Sequence, residues 1–270
     1  MNKIKQAQEN ALLSFEKGIQ PGRPVGLYLL LTGVNATGKT SGIGDLGSLT
    51  VKRGGRTIVN RSLKTLALMG DLRFGSNYFT STEAGAFIAS VYVPFDIEGL
   101  PQSLNIEGGD ELVVGYDPKP AGIANFDSLN MLVATAEGFQ TLPERYEPYI
   151  LGLDQSIGGA VSDPIQVNDS NVSAIFIEDG SDVVANVGYK NDKGQVYSTL
   201  PWNLLKAGTL IENRLETSDV SIVELQLFSN GEPLSYLNKK NIVEVETTGA
   251  GLVKITKNFI IPNERFKEWI

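Results

Sequence analysis

The sequence predicts an all-β protein: two consecutive eight-stranded jelly rolls behind an N-terminal amphipathic helical arm. Two observations carry that expectation. From Val25 onward the 270-residue chain breaks into short β-rich runs separated by Gly, Pro, Asn and Asp turns. About eight such runs fall before residue 136 and about nine after it, roughly eight strands per 120 residues, twice, with long glycine-rich loops. An immunoglobulin-like sandwich, the main competitor, packs about seven strands into about 100 residues, and the first half fits the larger unit better.

The arm comes first. Ile4, Ala7, Ala11, Leu12 and Phe15 form an apolar stripe at helical spacing over 2–17, and Gly18 ends it. Pro21, Gly22 and Pro24 then break the chain, so 1–24 reads as an arm that packs on its own domain or docks on a partner. Strands are expected at 25–32, 48–51, 56–60, 62–69, 86–93, 104–106, 111–117 and 128–135. The run Ser62 to Leu68 alternates polar and apolar as a half-buried strand does. The polar stretch Glu137 to Pro148, with two prolines, reads as the domain connection, giving a first jelly roll over 25–138 and a second over 139–270. The second set of strands is expected at 149–153, 157–161, 172–178, 182–189, 195–199, 209–213, 220–229, 241–247 and 251–259. Short helices are expected at 201–207 and at 263–270, the latter capped by Asn263. No apolar run reaches the roughly 18 residues of a membrane span, and no signal peptide opens the sequence, so synthesis in a cytoplasm without export is expected.

Composition narrows the chemistry. There are no cysteines and no histidines. Disulfides, thiolate nucleophiles, a Ser-His-Asp triad and the commonest transition-metal ligand are all excluded. An enzyme would have to work with carboxylates, Lys, Tyr and hydroxyls, so no catalytic residue is assigned. The net charge of −8 is uneven: residues 1–138 carry 12 basic and 13 acidic side chains, residues 139–270 carry 11 and 18. Such acidity argues against wrapping nucleic acid. The one basic cluster, Lys52, Arg53, Arg56, Arg61 and Lys64, surrounds the Gly54-Gly55 turn. It reads as a solvated hairpin or a contact with an acidic neighbouring subunit, with lipid headgroups or nucleic acid as the sharper alternative.

One motif points elsewhere. Gly33 to Thr40 reads GVNATGKT, a full match to the phosphate-loop pattern, and the apolar run Leu27 to Leu31 leads into it. The chemistry requires a helix to begin at the Gly-Lys-Thr and aim its positive end at the phosphates. Yet Ser41 to Arg56 contains five glycines, each costing a helix roughly 1 kcal/mol, and shows no helical periodicity. The expected reading is strand, glycine-rich loop, strand. A companion acidic strand end at Ala174 to Asp179 is equally ordinary.

The opening arm, the length, and the strand-turn style of VGLYLLLTG (25–33), RSLKTLALMG (61–70) and SIVELQLFSNG (221–231) together resemble the corticovirus major capsid proteins, of the double jelly-roll lineage that includes adenovirus hexons. The resemblance spans the whole chain and has no short diagnostic motif. It implies a structural virion subunit with no enzymatic activity. Homotrimers of pseudo-hexagonal outline would tile an icosahedral shell above an internal membrane, contacting one another and other capsid and membrane-associated virion proteins, with no direct nucleic-acid binding. Ile4, Leu12, Leu13 and Phe15 of the arm would make such contacts. Dependence on Ca2+ is implied too. The loop 116–127 offers Asp117, Asn125 and Asp127 as oxygen ligands, and 179–182 is a second acidic turn; neither matches an EF-hand, and Asp and Asn are ordinary turn formers. Two alternatives stand beside this: a β-sandwich adhesin or carbohydrate-binding protein, for which Trp202 and Trp269 are poorly placed, and a phosphate-loop nucleotidase.

Overall fold

The computed structural model describes residues 2–6, 15–19, 24–35, 47–74, 78–81, 86–94, 112–117, 123–135, 146–152, 155–158, 161–162, 165–166, 172–179, 181–191, 193, 195–212, 222–226, 228–229, 232–233 and 241–262. The chain divides into two compact units, Met1–Pro148 together with Pro262–Ile270, and Tyr149–Ile261.

The first unit contains β1 (Asn2–Gln6), β2 (Phe15–Ile19), β3 (Pro24–Asn35), β4 (Ser48–Arg53), β5 (Arg56–Ser62), α1 (Leu63–Phe74), β6 (Tyr78–Ser81), β7 (Ala86–Pro94), β8 (Leu112–Asp117) and β9 (Ile123–Thr135). One sheet has the order β1-β9-β3-β7-β6, and β2, β8, β4 and β5 are neighbours in that order in a second. Every register within them is antiparallel. Strand periodicity decides which side chains are inside. Leu27 and Leu29 of β3, Val91 and Val93 of β7, Leu49 and Val51 of β4, and Leu112 and Val114 of β8 are all buried. Each such aliphatic side chain contributes about 1.5–3 kcal/mol on burial.

The expected strand at 62–69 is instead the helix α1. Its buried positions Leu63, Leu66, Ala67, Met69 and Leu72 follow helical spacing, and it packs against β5 and β7. Ser62 is the N-cap, its Oγ accepting from the Thr65 amide at 3.1 Å, and the Leu63 amide donates to the Gly47 carbonyl at 2.9 Å. Seven alternating residues also fit a helix when Leu, Lys and Ala dominate and a serine precedes them.

The expected helical arm is also corrected where the structure describes it. Asn2–Gln6 is a strand pairing with Leu129–Val133 of β9, and Phe15–Ile19 is a strand pairing with Leu112–Tyr116 of β8. Residues 7–14 lie outside the described residues. The edges of β9 and β8 give these segments backbone partners far along the chain, and such tertiary pairing overrides propensity.

The second unit holds β10 (Tyr146–Gly152), most of which lies within it, followed by β11 (Gln155–Gly158), β12 (Ile165–Gln166), β13 (Val172–Asp179), β14 (Val184–Asn191), β15 (Val196–Pro201), α2 (Trp202–Glu212), β16 (Ile222–Gln226), β17 (Phe228–Ser229), β18 (Glu232–Pro233), β19 (Asn241–Thr247) and β20 (Ala250–Pro262). Strands β16, β13 and β20 are neighbours, with β11 also on β20; β12-β19-β14-β15 forms a separate sheet, and β17 and β18 a two-stranded one. A buried cluster includes Ile175, Ile177, Val187, Trp202, Val223, Leu225, Val243, Val245, Val253 and Ile255. The expected helix at 201–207 is α2, and it continues through 209–212, where a strand is expected. The expected strand at 104–106 and helix at 263–270 lie outside the described residues.

Candidate assembly surfaces and the fate of the sequence motifs

The phosphate-loop match begins inside a strand. Gly33 pairs with Phe87 and Phe126, Val34 with Ala86 and Asn125, and Asn35 with Ile123. A phosphate loop needs its first glycine to leave the strand and turn; here the backbone at Gly33 is engaged in ladders on both sides. The next described element is the strand β4, beginning at Ser48, after Gly47 with φ 88°. Residues 36–46 lie outside the described residues. The companion acidic strand end is occupied as well. Asp179 is buried, and its Oδ1 and Oδ2 accept from the amides of Val183 (3.1 Å) and Val184 (2.8 Å). Its two oxygens close the turn into β14, in which the exposed Asp182 takes a φ of 53°. Glu178, also buried, pairs with the Lys254 Nζ at 3.4 Å.

The three candidate calcium ligands fall on two sheets, Asp117 on one and Asn125 with Asp127 on the other. Asp117 ends β8 opposite Ser48 and is exposed. Asn125 lies on β9 opposite Val34, and Asp127 lies on β9 at the register shift between the Gly33 and Thr32 pairs. Residues 118–122 between them are outside the described residues. Among the described residues no group of three or more acidic side chains is placed to hold a metal ion. Beside Asp117, the buried Tyr116 hydroxyl has its pKa raised well above the ordinary tyrosine value, chiefly by burial and secondarily by the Asp117 charge.

The basic cluster sits on the β4–β5 hairpin. Gly54 and Gly55, with φ of 52° and 82°, make the two-residue turn, and both are exposed. Positive φ at both positions is what a type I′ hairpin demands. The register sets Arg53 opposite Arg56 and Lys52 opposite Thr57. All three cations are partly exposed, whereas Arg61 is buried. Each also has an interaction within its own chain.

A surface that sequence reasoning missed lies on the other sheet. Tyr28 (38% exposed) and Leu30 (40%) alternate with buried Leu27 and Leu29, and Ile88 (39%) faces outward from β7. Tyr28 stacks on Tyr92, its cross-strand partner, with ring centroids 4.3 Å apart. The signal was present: five consecutive apolar residues, Leu27 to Leu31, give a strand two apolar faces, and such strands are ordinarily covered on both. Trp202, by contrast, is 4% exposed and belongs to the second unit's core, which removes it as a sugar-binding platform. Among the described residues no helix is long and apolar enough to cross a membrane.

No protein-family model and no curated protein matches the sequence. Solved structures do match. The chain is similar to the major capsid protein of Sulfolobus turreted icosahedral virus, at 13% identity and TM-score 0.69, over 96% of both chains. It is similar to the major capsid protein P2 of bacteriophage PM2, at 13% identity and TM-score 0.62, over 97% of both chains. It is also similar to PBCV-1 VP54, at 9% identity and TM-score 0.62, over 96% of this chain and 92% of that one. Identities this low speak to the fold, and they speak to nearly all of it. The chain has the double jelly-roll fold of viral major capsid proteins.

Proposed function

We propose that this chain is a major capsid protein, a structural virion subunit whose homotrimers, pseudo-hexagonal in outline, tile an icosahedral shell around an internal membrane. The observation that carries the reading is the end-to-end fold likeness, covering 96% or more of this chain and of the first two capsid proteins it resembles. A chance likeness of one β-sandwich would cover half the chain. The role is structural rather than enzymatic, its partners are its own copies together with other capsid and membrane-associated virion proteins, and its location is the virion. No direct binding of nucleic acid is part of the role.

The oligomer tests this. Electron microscopy of the purified chain should show particles of hexagonal outline, and their absence at every concentration would count against a shell subunit. A nucleotide titration with Lys39→Ala as control addresses the competing chemistry; saturable, Lys39-dependent binding would overturn the capsid reading.

Calcium dependence belongs to the same proposal. Ca2+ takes 6–8 oxygen ligands, and Asp117 offers an exposed carboxylate where the chain leaves β8 towards Asn125 and Asp127. Chelation is expected to lower the melting temperature of the oligomer, and Asp117→Asn to blunt that response. A melting temperature unchanged across calcium concentrations removes the idea.

A further inference from the structure

The four neighbouring strands β2, β8, β4 and β5 carry a charge opposite to that of the whole chain. They hold Lys17, Lys52, Arg53, Arg56 and Arg61 against Glu16 and Asp117, a net of +3 in a chain of −8. Three of the five cations crowd the tip of the β4–β5 hairpin within five residues. The register puts the two arginines directly opposite each other, an arrangement that costs an isolated hairpin stability. The second unit, Tyr149–Ile261, has 8 basic and 14 acidic residues, a net of −6.

We propose that the Lys52-Arg53-Gly54-Gly55-Arg56 hairpin tip docks on the acidic second unit of a neighbouring copy of this chain. The inference rests on the capsid reading and names a surface through which copies would meet. Charge complementarity argues for a second copy as the occupant: the countercharge is already present on every subunit, at the same concentration. A basic tip on one unit meeting the acidic unit of another copy is a head-to-tail contact, which builds rings where the rotation closes and open filaments where it does not. The cations have interactions within their own chain, so the tip contributes excess positive potential rather than unpaired groups. Arginine suits the role because its planar fork binds carboxylates in bidentate fashion. The exposed Gly-Gly turn adds no side chain to hold a partner surface away; a Cβ at either glycine would meet nothing within 4 Å.

The test is sedimentation of the full chain at low and high salt, with Arg53→Glu/Arg56→Glu and Arg53→Gln/Arg56→Gln. Screening shortens from about 10 Å at 0.1 M to about 3 Å at 1 M salt. The expected result is self-association that weakens on the order of tenfold or more across that range. The charge reversal should associate at least as weakly in low salt as the wild type does in high salt, and the glutamine variant should fall between. If the reversal fails to fold by circular dichroism, the glutamine variant carries the comparison. Association indifferent to both salt and substitution would overturn the hairpin contact while leaving the capsid reading intact. A wild type that is monomeric at every salt concentration would remove the capsid reading itself. Phosphatidylcholine vesicles with and without phosphatidylglycerol provide the last arm. Binding to the anionic vesicles that the reversal abolishes, with self-association unchanged, would overturn the proposal in favour of a lipid surface.

Discussion

At Gly26 the outer face of β3 leaves no room for a side chain. A Cβ there would lie 2.6 Å from both Cε2 and the hydroxyl oxygen of Tyr92, whose ring leans across from β7 to stack on Tyr28. Gly26→Ala is expected to destabilise the protein by about 1–3 kcal/mol, as overpacking does. Combining it with Tyr92→Leu should recover much of that loss, because the two positions are in contact. Urea midpoints of the two single variants and the double variant check it; purely additive losses would show that the ring is not the obstacle. Tyr116 gives a second prediction, in pH. Burial holds its hydroxyl protonated in the folded chain, with Asp117 assisting. An unfolded tyrosine ionises near pH 10, so unfolding at higher pH releases a proton that the folded state retains. The stability from Tyr116 is therefore complete below about pH 10 and declines as pH rises above it. Tyr116→Phe should lack this component, and urea midpoints for the two proteins from neutral to alkaline pH would reveal the difference in slope.

At the scale of elements, the helix α1 depends on its first turn. Ser62→Ala removes the Oγ that accepts from the Thr65 amide and should cost about 1 kcal/mol, with Ser62→Asp retaining most of the stability. Denaturant unfolding of the two variants measures this, and equal losses would mean that Ser62 does not act as a cap. The same turn shows where the sequence was ambiguous. Ser62 to Leu68 alternates well enough for a strand, and only the capping serine with its Leu, Ala and Met content favours the helix. The strand β19 (Asn241–Thr247) was legible to the residue because Val243 and Val245 alternate with Glu244 and Glu246. The arm misled for the opposite reason. Ile4 and Phe15 fit a helical stripe, but what decides their state is the open edges of β9 and β8, far along the chain and invisible to a local pattern. The hairpin at Gly54-Gly55 was readable because positive φ at two successive positions selects glycine.

For the molecule as a whole, the succession of short β-rich runs and turns made the all-β fold class legible, because a sheet's period and its turns are local properties. Surfaces were harder. The phosphate-loop match was textual: Gly33 and Val34 lie in a strand paired on both sides and Asn35 is paired on one, and nothing local could reveal those partners. The exposed apolar face at Tyr28, Leu30 and Ile88 needed the structure, since five apolar residues in a row do not say which side remains open. Both that face and the charge separation between hairpin and second unit are what a subunit made to be covered by its own copies would carry. The most direct test is the mass of the purified chain by light scattering at near-physiological salt. A homotrimer, three times the 29.2 kDa of one chain, is expected. A mass that stays at 29.2 kDa across all accessible concentrations would contradict the account.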